Sequence, residues 1–586
     1  MPASAASTTT RTPAPNADTR DLNTQWHNSI TYQTALNDIR RDDHDTGTTM
    51  TQRADTVILA KTIHTLTGEQ GHSAVAISDG RICALGDADS LATYISASTQ
   101  IVDLGGATLT PGLIDGHIHP VLGLDISAGV DLSGVDNLDQ LVEALRTAPV
   151  VDGWVRGWGL DPNAFGGRPV TSDVVVTAVG PDLPTLLYLF DGHSALATPA
   201  ALRIAGVDGP RTFSGNAEIV CQDGIPTGHL LELEAVSVVS AVVPPESAHQ
   251  RRRRLTELLG SMAAAGLTSA NAMDFEGDSG ELVTALEADI ELPMRLRFAP
   301  FCMPGTDTEQ LDHIVELQRR GGRRWRVDGV KFMVDGTIDG GTAWLETPDS
   351  HGESTAPLWP DPAEYRHALR YLAQRGVPTV THAIGDAGIR YALDSLVDLP
   401  ELPSGARHRI EHIETLPDDL VDRFARQGVV ASMQPTHCTH YTRADHSDNW
   451  SERLGTERAD RAFRTRDIRD AGAILALGSD WPIAPFDARS IMADAQLRRR
   501  AGHLDDAPIL PGQALTARMA LEGYTSHAAR AQGASDAGAI AVGCRADLTA
   551  FAVDPLRCPP DELADAPIVL TMVGGDVVHR ADHVDA

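Results

Sequence analysis

The residues best suited to chemistry in this chain are a pair of histidines, His117 and His119, in the segment Leu113-Ile-Asp115-Gly-His117-Ile-His119-Pro120. On a β-strand, side chains at i and i+2 point to the same face, so both imidazoles can reach one metal ion. A single pair of this kind is weak evidence, because surface histidine pairs are common. Further ligand types close other apolar runs: His382 ends Thr379-Val-Thr-His382, His412 ends Arg409-Ile-Glu-His412, and Asp480 ends Leu477-Gly-Ser-Asp480. From His382 to His412 is 412 − 382 = 30 residues, about one strand–helix unit, and from His412 to Asp480 is 480 − 412 = 68, about two. Each histidine alone is as readily explained by core packing. Four histidines and an aspartate spaced in units of a repeating fold point to a metal site.

Lys331 is the second unusual feature. Lysine and arginine together number 48 and only Lys61 and Lys331 are lysines, which leaves 48 − 2 = 46 arginines. Lys331 lies in the apolar run Val330-Lys331-Phe332-Met333-Val334, where a bare ammonium is costly. It can pair with Asp328 or Asp335, or it can be chemically altered. An amine can lose its proton and react, whereas a guanidinium stays charged. Imidazoles with a carboxylate suit Zn²⁺, with Mn²⁺, Fe²⁺, Co²⁺ and Ni²⁺ as alternatives. Five such ligands are many for one ion that keeps an open position, and two ions about 3.5–4 Å apart use them better. Two neighbouring dications call for an anionic bridge, which Lys331 becomes if its amine takes up CO₂ as a carbamate.

The elements that must position these groups form an α/β pattern. Eight candidate strands, 113–119, 267–273, 294–299, 327–334, 378–382, 408–412, 429–434 and 474–480, alternate with helical stretches. Eight such units imply a (β/α)8 TIM barrel, with its chemistry at the carboxyl ends of the strands. The barrel is expected over 111–537. The gap after its first strand is too long for one helix, so an inserted α/β subdomain is expected over about 140–245, with Trp154 and Trp158 as core or pocket residues. Short strands at 53–110 and again at 538–586 predict a small β-sandwich domain built from both ends of the chain. Its clearest signal is the Asp79-Gly80 hairpin turn. Residues 1–52 are rich in Thr, Ser, Ala, Asp and Pro and read as a disordered tail, with Met50 an alternative start to Met1.

Composition bounds the partners. A formal charge of −32 argues against nucleic acid or an anionic membrane surface. The four consecutive arginines Arg251 to Arg254 open a helical pattern and read as a solvated face. Six scattered cysteines form no CxxC pair, which fits reduced thiols in a cytoplasmic protein rather than a cysteine zinc site. A small molecule is the expected substrate, and a homodimer is one assembly open to the chain.

The segments Thr110-Pro-Gly-Leu-Ile-Asp-Gly-His-Ile-His119, Asp191-Gly-His193, Gly329-Val-Lys331-Phe-Met-Val-Asp335-Gly336, Thr381-His-Ala-Ile-Gly-Asp386, Arg409-Ile-Glu-His412, Ser432-Met-Gln-Pro-Thr-His437 and Leu477-Gly-Ser-Asp480 together resemble the amidohydrolase superfamily. Within it they are similar to the family-3, YtcJ-like branch that includes N-substituted formamide deformylases. The resemblance implies His117 and His119 on one ion, carboxylated Lys331 as bridge, His382 and His412 on the second ion, and Asp480 as ligand and general base. Gly543-Cys544-Arg-Ala-Asp547-Leu looks like the family's G-K-x-A-D-L signature with Cys544 in place of its lysine. His193, Gln434 and His437 are candidates for substrate contact, with a structural role for His193 equally open. The leading expectation is hydrolysis of an amide, N-acyl or N-formyl C–N bond. Ester, lactone or cyclic-amide hydrolysis is the alternative. A mononuclear deaminase or a non-catalytic regulator on the same scaffold is more remote.

Overall fold

The structure is a computed structural model in which residues 53–213 and 217–581 are described. The tail expected over 1–52, and Met50 with it, lie outside those residues. The centre of the molecule is parallel β-structure wrapped by helices. Leu113–Ile118, Leu267–Ala272, Arg295–Phe298 and Trp325–Val327 pair side by side in parallel. Val330–Met333, Thr379–Ala383, Arg409–His412, Val430–Met433 and Leu475–Leu477 form a second parallel sheet. Every residue of Leu113–Ile118, Thr379–Ala383 and Arg409–His412 is buried. Burial on both faces is why these strands read as apolar runs and not as a polar–apolar alternation.

The single strand expected over 327–334 is two strands, one in each sheet. Gly329 breaks it with φ +135°, a backbone conformation that L side chains rarely adopt. Asp328 stabilises the break, its carboxylate 3.0 Å from Arg297 and 2.7 Å from Arg326. The sheets are therefore two arcs and not one continuous ladder. Hydrogen bonds still join their edges. On one side Asp328 N–H donates to Phe298 O (2.9 Å) and Lys331 N–H to Pro300 O (2.8 Å). On the other, Asp480 N–H donates to His117 O (2.7 Å) and His119 N–H to Trp481 O (2.9 Å). Glycine permits this second approach, since a Cβ on Gly116 would lie 2.6 Å from Leu477 O and one on Gly478 2.5 Å from His117 N.

Strands from the two ends of the chain meet in a pair of small sheets. One contains Thr56–Leu59, Ala74–Ser78, Arg81–Gly86 and Gln100–Asp103, and the other joins Thr62–Ile63 and Thr108–Pro111 to Leu548–Phe551, Ile568–Val573 and Asp576–Arg580. Ile58, Val75, Leu109, Leu548 and Leu570 pack together in a common core. Cys544 is buried there, far in the fold from the histidines. The Asp79-Gly80 turn has positive φ at both residues (51° and 71°), as a tight hairpin requires. Between the first two central strands lies a seven-stranded sheet whose strands fall between Val130 and Leu231. Trp154 packs in its core with Leu186 and Ala195.

Candidate metal centre

The carboxyl ends of the central strands converge on one cavity, which His117, His119, His193, Lys331, His382, His412, His437 and Asp480 all line. Ligand atoms of His117, His412 and Asp480 lie within 4.8 Å of one another. Asp480 Oδ1 is 3.3 Å from Nε2 of both His117 and His119, yet it has no hydrogen-bond partner. His382 joins through its ring, 4.5 Å from that of His412, while its Nε2 lies 3.2 Å from Gly336 O and leaves Nδ1 as the open nitrogen.

Residues behind these imidazoles orient them. His117 Nδ1 lies 2.6 Å from Glu411 Oε2, His119 Nδ1 3.2 Å from Asp274 Oδ2, and His412 Nδ1 2.9 Å from Gln434 Oε1. With Nδ1–H donated outward, each ring presents Nε2 toward the cavity, the tautomer a metal ion needs. Glu411 is itself held by Arg409, whose Nε and Nη2 donate at 2.6 and 2.8 Å. Neither Arg409, Glu411 nor Asp274 was among the expected site residues. One signal was available in the chain: Arg409 and Glu411 alternate with Ile410 on a strand, which puts a cation and an acid together on one face.

Lys331 is 2% exposed and its Nζ lies 3.3 Å from His117 Nε2. Neither expected ion-pair partner reaches it. Asp328 is engaged by Arg297 and Arg326, and Asp335 accepts backbone hydrogen bonds from Trp344 (3.0 Å), Ile384 (3.1 Å) and Gly385 (2.8 Å). Burial pulls the Lys331 ammonium down to about 8, against the opposing pull of Glu411 and Asp480. About a tenth of the amine is therefore neutral at pH 7, against well under a thousandth for an ordinary lysine. Burial, and Lys331 next, hold His117 well below the ordinary histidine range; His382 and His412 are held down in the same way, by burial first and neighbouring histidines second. For His119 burial acts in that direction too, but the carboxylates of Asp274 and Asp480 outweigh it and raise its pKa. Burial would protonate Asp480, but His117 and His119 keep it below the usual carboxylate range. His117, His382 and His412 are thus held neutral and Asp480 ionised, the protonation states that metal binding requires, while the carboxylates beside His119 favour its protonated form.

Two of these residues carry left-handed backbone conformations unusual outside glycine, His412 at φ 71° and Asp480 at φ 58°. Such conformations cost on the order of 1–3 kcal/mol and persist where the surroundings impose them. Here each lies at or just past the end of a strand and turns the side chain into the cavity.

The expected substrate contacts divide. His193 lines the cavity, its Nδ1 3.0 Å from Glu232 and its ring 5.3 Å from that of His382. His437 lies past the seventh of the expected strands, in the helix Pro435–Tyr441, which Pro435 opens. Its ring stacks on His412 at 5.9 Å, and its Nε2 has no hydrogen-bond partner. Gln434 is 1% exposed and sits behind His412 instead of in the cavity wall. Neither Trp154 nor Trp158 lines the cavity.

Fold and site together define a parallel α/β protein with a convergent histidine–carboxylate centre at the carboxyl ends of its strands, and comparison with known proteins is consistent with that class. A model of the amidohydrolase family matches residues 100–579, and the chain belongs to this family of hydrolases. The putative amidohydrolase YtcJ of Bacillus subtilis is 28% identical over 523 residues, covering 86% of this chain and 96% of that protein. The N-substituted formamide deformylase of Arthrobacter pascens is 26% identical over 557 residues, covering 90% and 98%. The crystal structure of an uncharacterized metal-dependent hydrolase from Pyrococcus horikoshii superposes with a TM-score of 0.66 at 24% identity, covering 86% of this chain and 99% of that one. No helix among the described residues is long and apolar enough to cross a membrane.

Proposed function

We propose that the protein is a metal-dependent hydrolase that cleaves the C–N bond of a small-molecule amide. The observation that carries this reading is the outward commitment of three Nδ1 atoms, to Glu411, Asp274 and Gln434, around the unpartnered Asp480 Oδ1. On this reading the two parallel arcs act as one (β/α)8 barrel, with a terminal β-sandwich and an insertion after the first strand.

His117 and His119 would hold one divalent ion, His382 and His412 a second, and Asp480 would contribute its carboxylate. Zn²⁺ suits the donors best. Lys331 would bridge: its neutral amine adds to CO₂ and loses a proton, giving a carbamate. This replaces a costly buried cation by an anion facing the ligand cluster, and arginine cannot do it. The bound ions would acidify water and polarise the scissile carbonyl. Asp480 takes the proton from the attacking water and delivers it to the leaving nitrogen, as general base and then general acid. His193, fixed by Glu232, and His437, with its free Nε2, face the same space and hold the substrate. Gln434 acts on His412.

The test is to load the purified protein with Zn²⁺ or Mn²⁺ and assay N-formyl, N-acyl, ester and lactone compounds. Amide turnover with two equivalents of metal supports the proposal; equal activity in metal-free protein overturns it. Lys331→Ala and Lys331→Arg should lose metal and activity together, with short carboxylic acids restoring part of both in the alanine variant.

A further inference from the structure

Resting on the C–N hydrolase reading, we infer that the cavity selects neutral substrates whose non-reacting portion is apolar and rejects counterparts that carry a carboxylate there. Away from the histidines the wall is formed by Leu122, Ile126, Phe190, Leu233, Phe301 and Ile483. Among the described residues no arginine lines it, in a chain that has 48 − 2 = 46 of them. Its single lysine is Lys331, whose charge the carbamate removes.

The remaining charged groups on the wall are acids. Asp191 is saturated, accepting from the backbone of His193 (3.1 Å) and Ser194 (3.0 Å) and from the Ser194 hydroxyl (3.1 Å). Asp339 accepts from Asn449 Nδ2 (3.0 Å) and Glu414 from Trp450 Nε1 (2.8 Å). Among the described residues, no lysine or arginine nitrogen forms a salt bridge with either. His193 lines the same cavity; burial would lower its pKa, but Glu232, 3.0 Å away, and then Asp191 raise it to about 9, so its positive charge is already matched by carboxylates.

The cavity reports on its own character through Asp339. Burial, with Glu414 nearby, drives that carboxyl well above the ordinary range, so burial at this part of the wall opposes the charge of a carboxylate. A substrate carboxylate at this wall meets the same conditions. It loses its hydration and finds no lysine or arginine, and the one nearby cation, His193, is already paired with Glu232. A neutral apolar group instead gains from leaving water.

The test uses three matched compounds with one acyl group: an N-acyl phenethylamine, the N-acyl phenylalanine that adds a carboxylate, and the N-acyl phenylalaninamide that replaces it with a neutral group of equal size. Release of the free amine is followed on the metal-loaded enzyme, and binding of each compound is measured by calorimetry. The inference expects kcat/KM for both neutral compounds to exceed that of the acid by about 100-fold or more. Equal or better use of the acid overturns it, and so does a penalty shared by the neutral amide, which would indicate bulk and not charge. If none is hydrolysed, the C–N reading fails. Calorimetry then decides this one: tighter binding of both neutral compounds supports it, and equal or tighter binding of the acid overturns it. Leu233→Arg places a cation on the wall and should raise the acid-to-neutral ratio at least tenfold, whereas Leu233→Gln should not.

Discussion

The link Arg409–Glu411–His117 carries a prediction that separates folding from metal binding. Glu411 is fully buried and Arg409 is 4% exposed; the acid receives both guanidinium nitrogens at 2.6 and 2.8 Å and lies 2.6 Å from His117 Nδ1. Glu411→Met leaves Arg409 with Ser432 Oγ (2.8 Å) and Gly116 O as partners for its charge, and His117 with no acceptor. Breaking a buried pair from one side costs about 3–5 kcal/mol. Loss of the carboxylate behind a ligating histidine weakens metal affinity by about 10–100-fold, equivalent to about 1.4–2.7 kcal/mol. Combining Glu411→Met with Arg409→Met removes the stranded charge, so most of the stability should return, because an apolar pair replaces a buried ion pair at little cost. Metal affinity should not return, because His117 Nδ1 remains without an acceptor. The assay pairs urea unfolding of the metal-free protein with Zn²⁺ competition against a chromophoric chelator. If affinity recovers together with stability in the double variant, or never falls in the single one, Glu411 does not orient His117.

Other consequences are open to direct measurement. Asp480→Asn should lower kcat per bound metal by about 10²–10⁴-fold, and a fall that vanishes after normalising to metal content would remove its role as base. His527 is 7% exposed, accepts from Leu475 N–H at Nδ1 (3.1 Å), and is held down to about 3 by burial, then by Arg469; burial likewise takes His408 to about 4. Both stay neutral in the fold while the unfolded chain takes up protons at about 6.5. Stability should therefore fall as pH drops below about 6.5, by roughly 1.4 kcal/mol per pH unit for His527. His527→Gln should flatten that slope; an unchanged slope would show that His527 does not contribute. Gly116→Ala puts a Cβ 2.6 Å from Leu477 O, so it should part the two arcs where His117 meets Asp480. A lower unfolding temperature and weaker metal binding are expected together, and wild-type values for both would show that the seam tolerates the methyl group.

Much of this arrangement is legible in the sequence, and the reason is local. Alternation along a strand tells that His117 and His119 share a face, and apolar runs ending in His382, His412 and Asp480 mark the ends of elements. The rarity of lysine singled out Lys331, and the Asp79-Gly80 pair specified its own hairpin. Apart from the lysine count, a property of the whole chain, each of these rests on neighbours within a few residues. The groups that orient the ligands come from far along the chain: Glu411 is 294 positions from His117, and Asp274 is 155 from His119. Periodicity states which face a side chain takes but not what stands across the cavity. For the same reason Gln434 could be placed near the site but not behind His412. The break at Gly329 also escaped the pattern, since the apolar run continues through it and only the positive φ and the pull of Arg297 and Arg326 on Asp328 divide it. The residue types able to hold a metal, and the strand ends that bear them, follow from local patterns in the chain. Which nitrogen each histidine presents, and that no arginine among the described residues lines the far wall, follow from contacts between distant segments that no local pattern encodes.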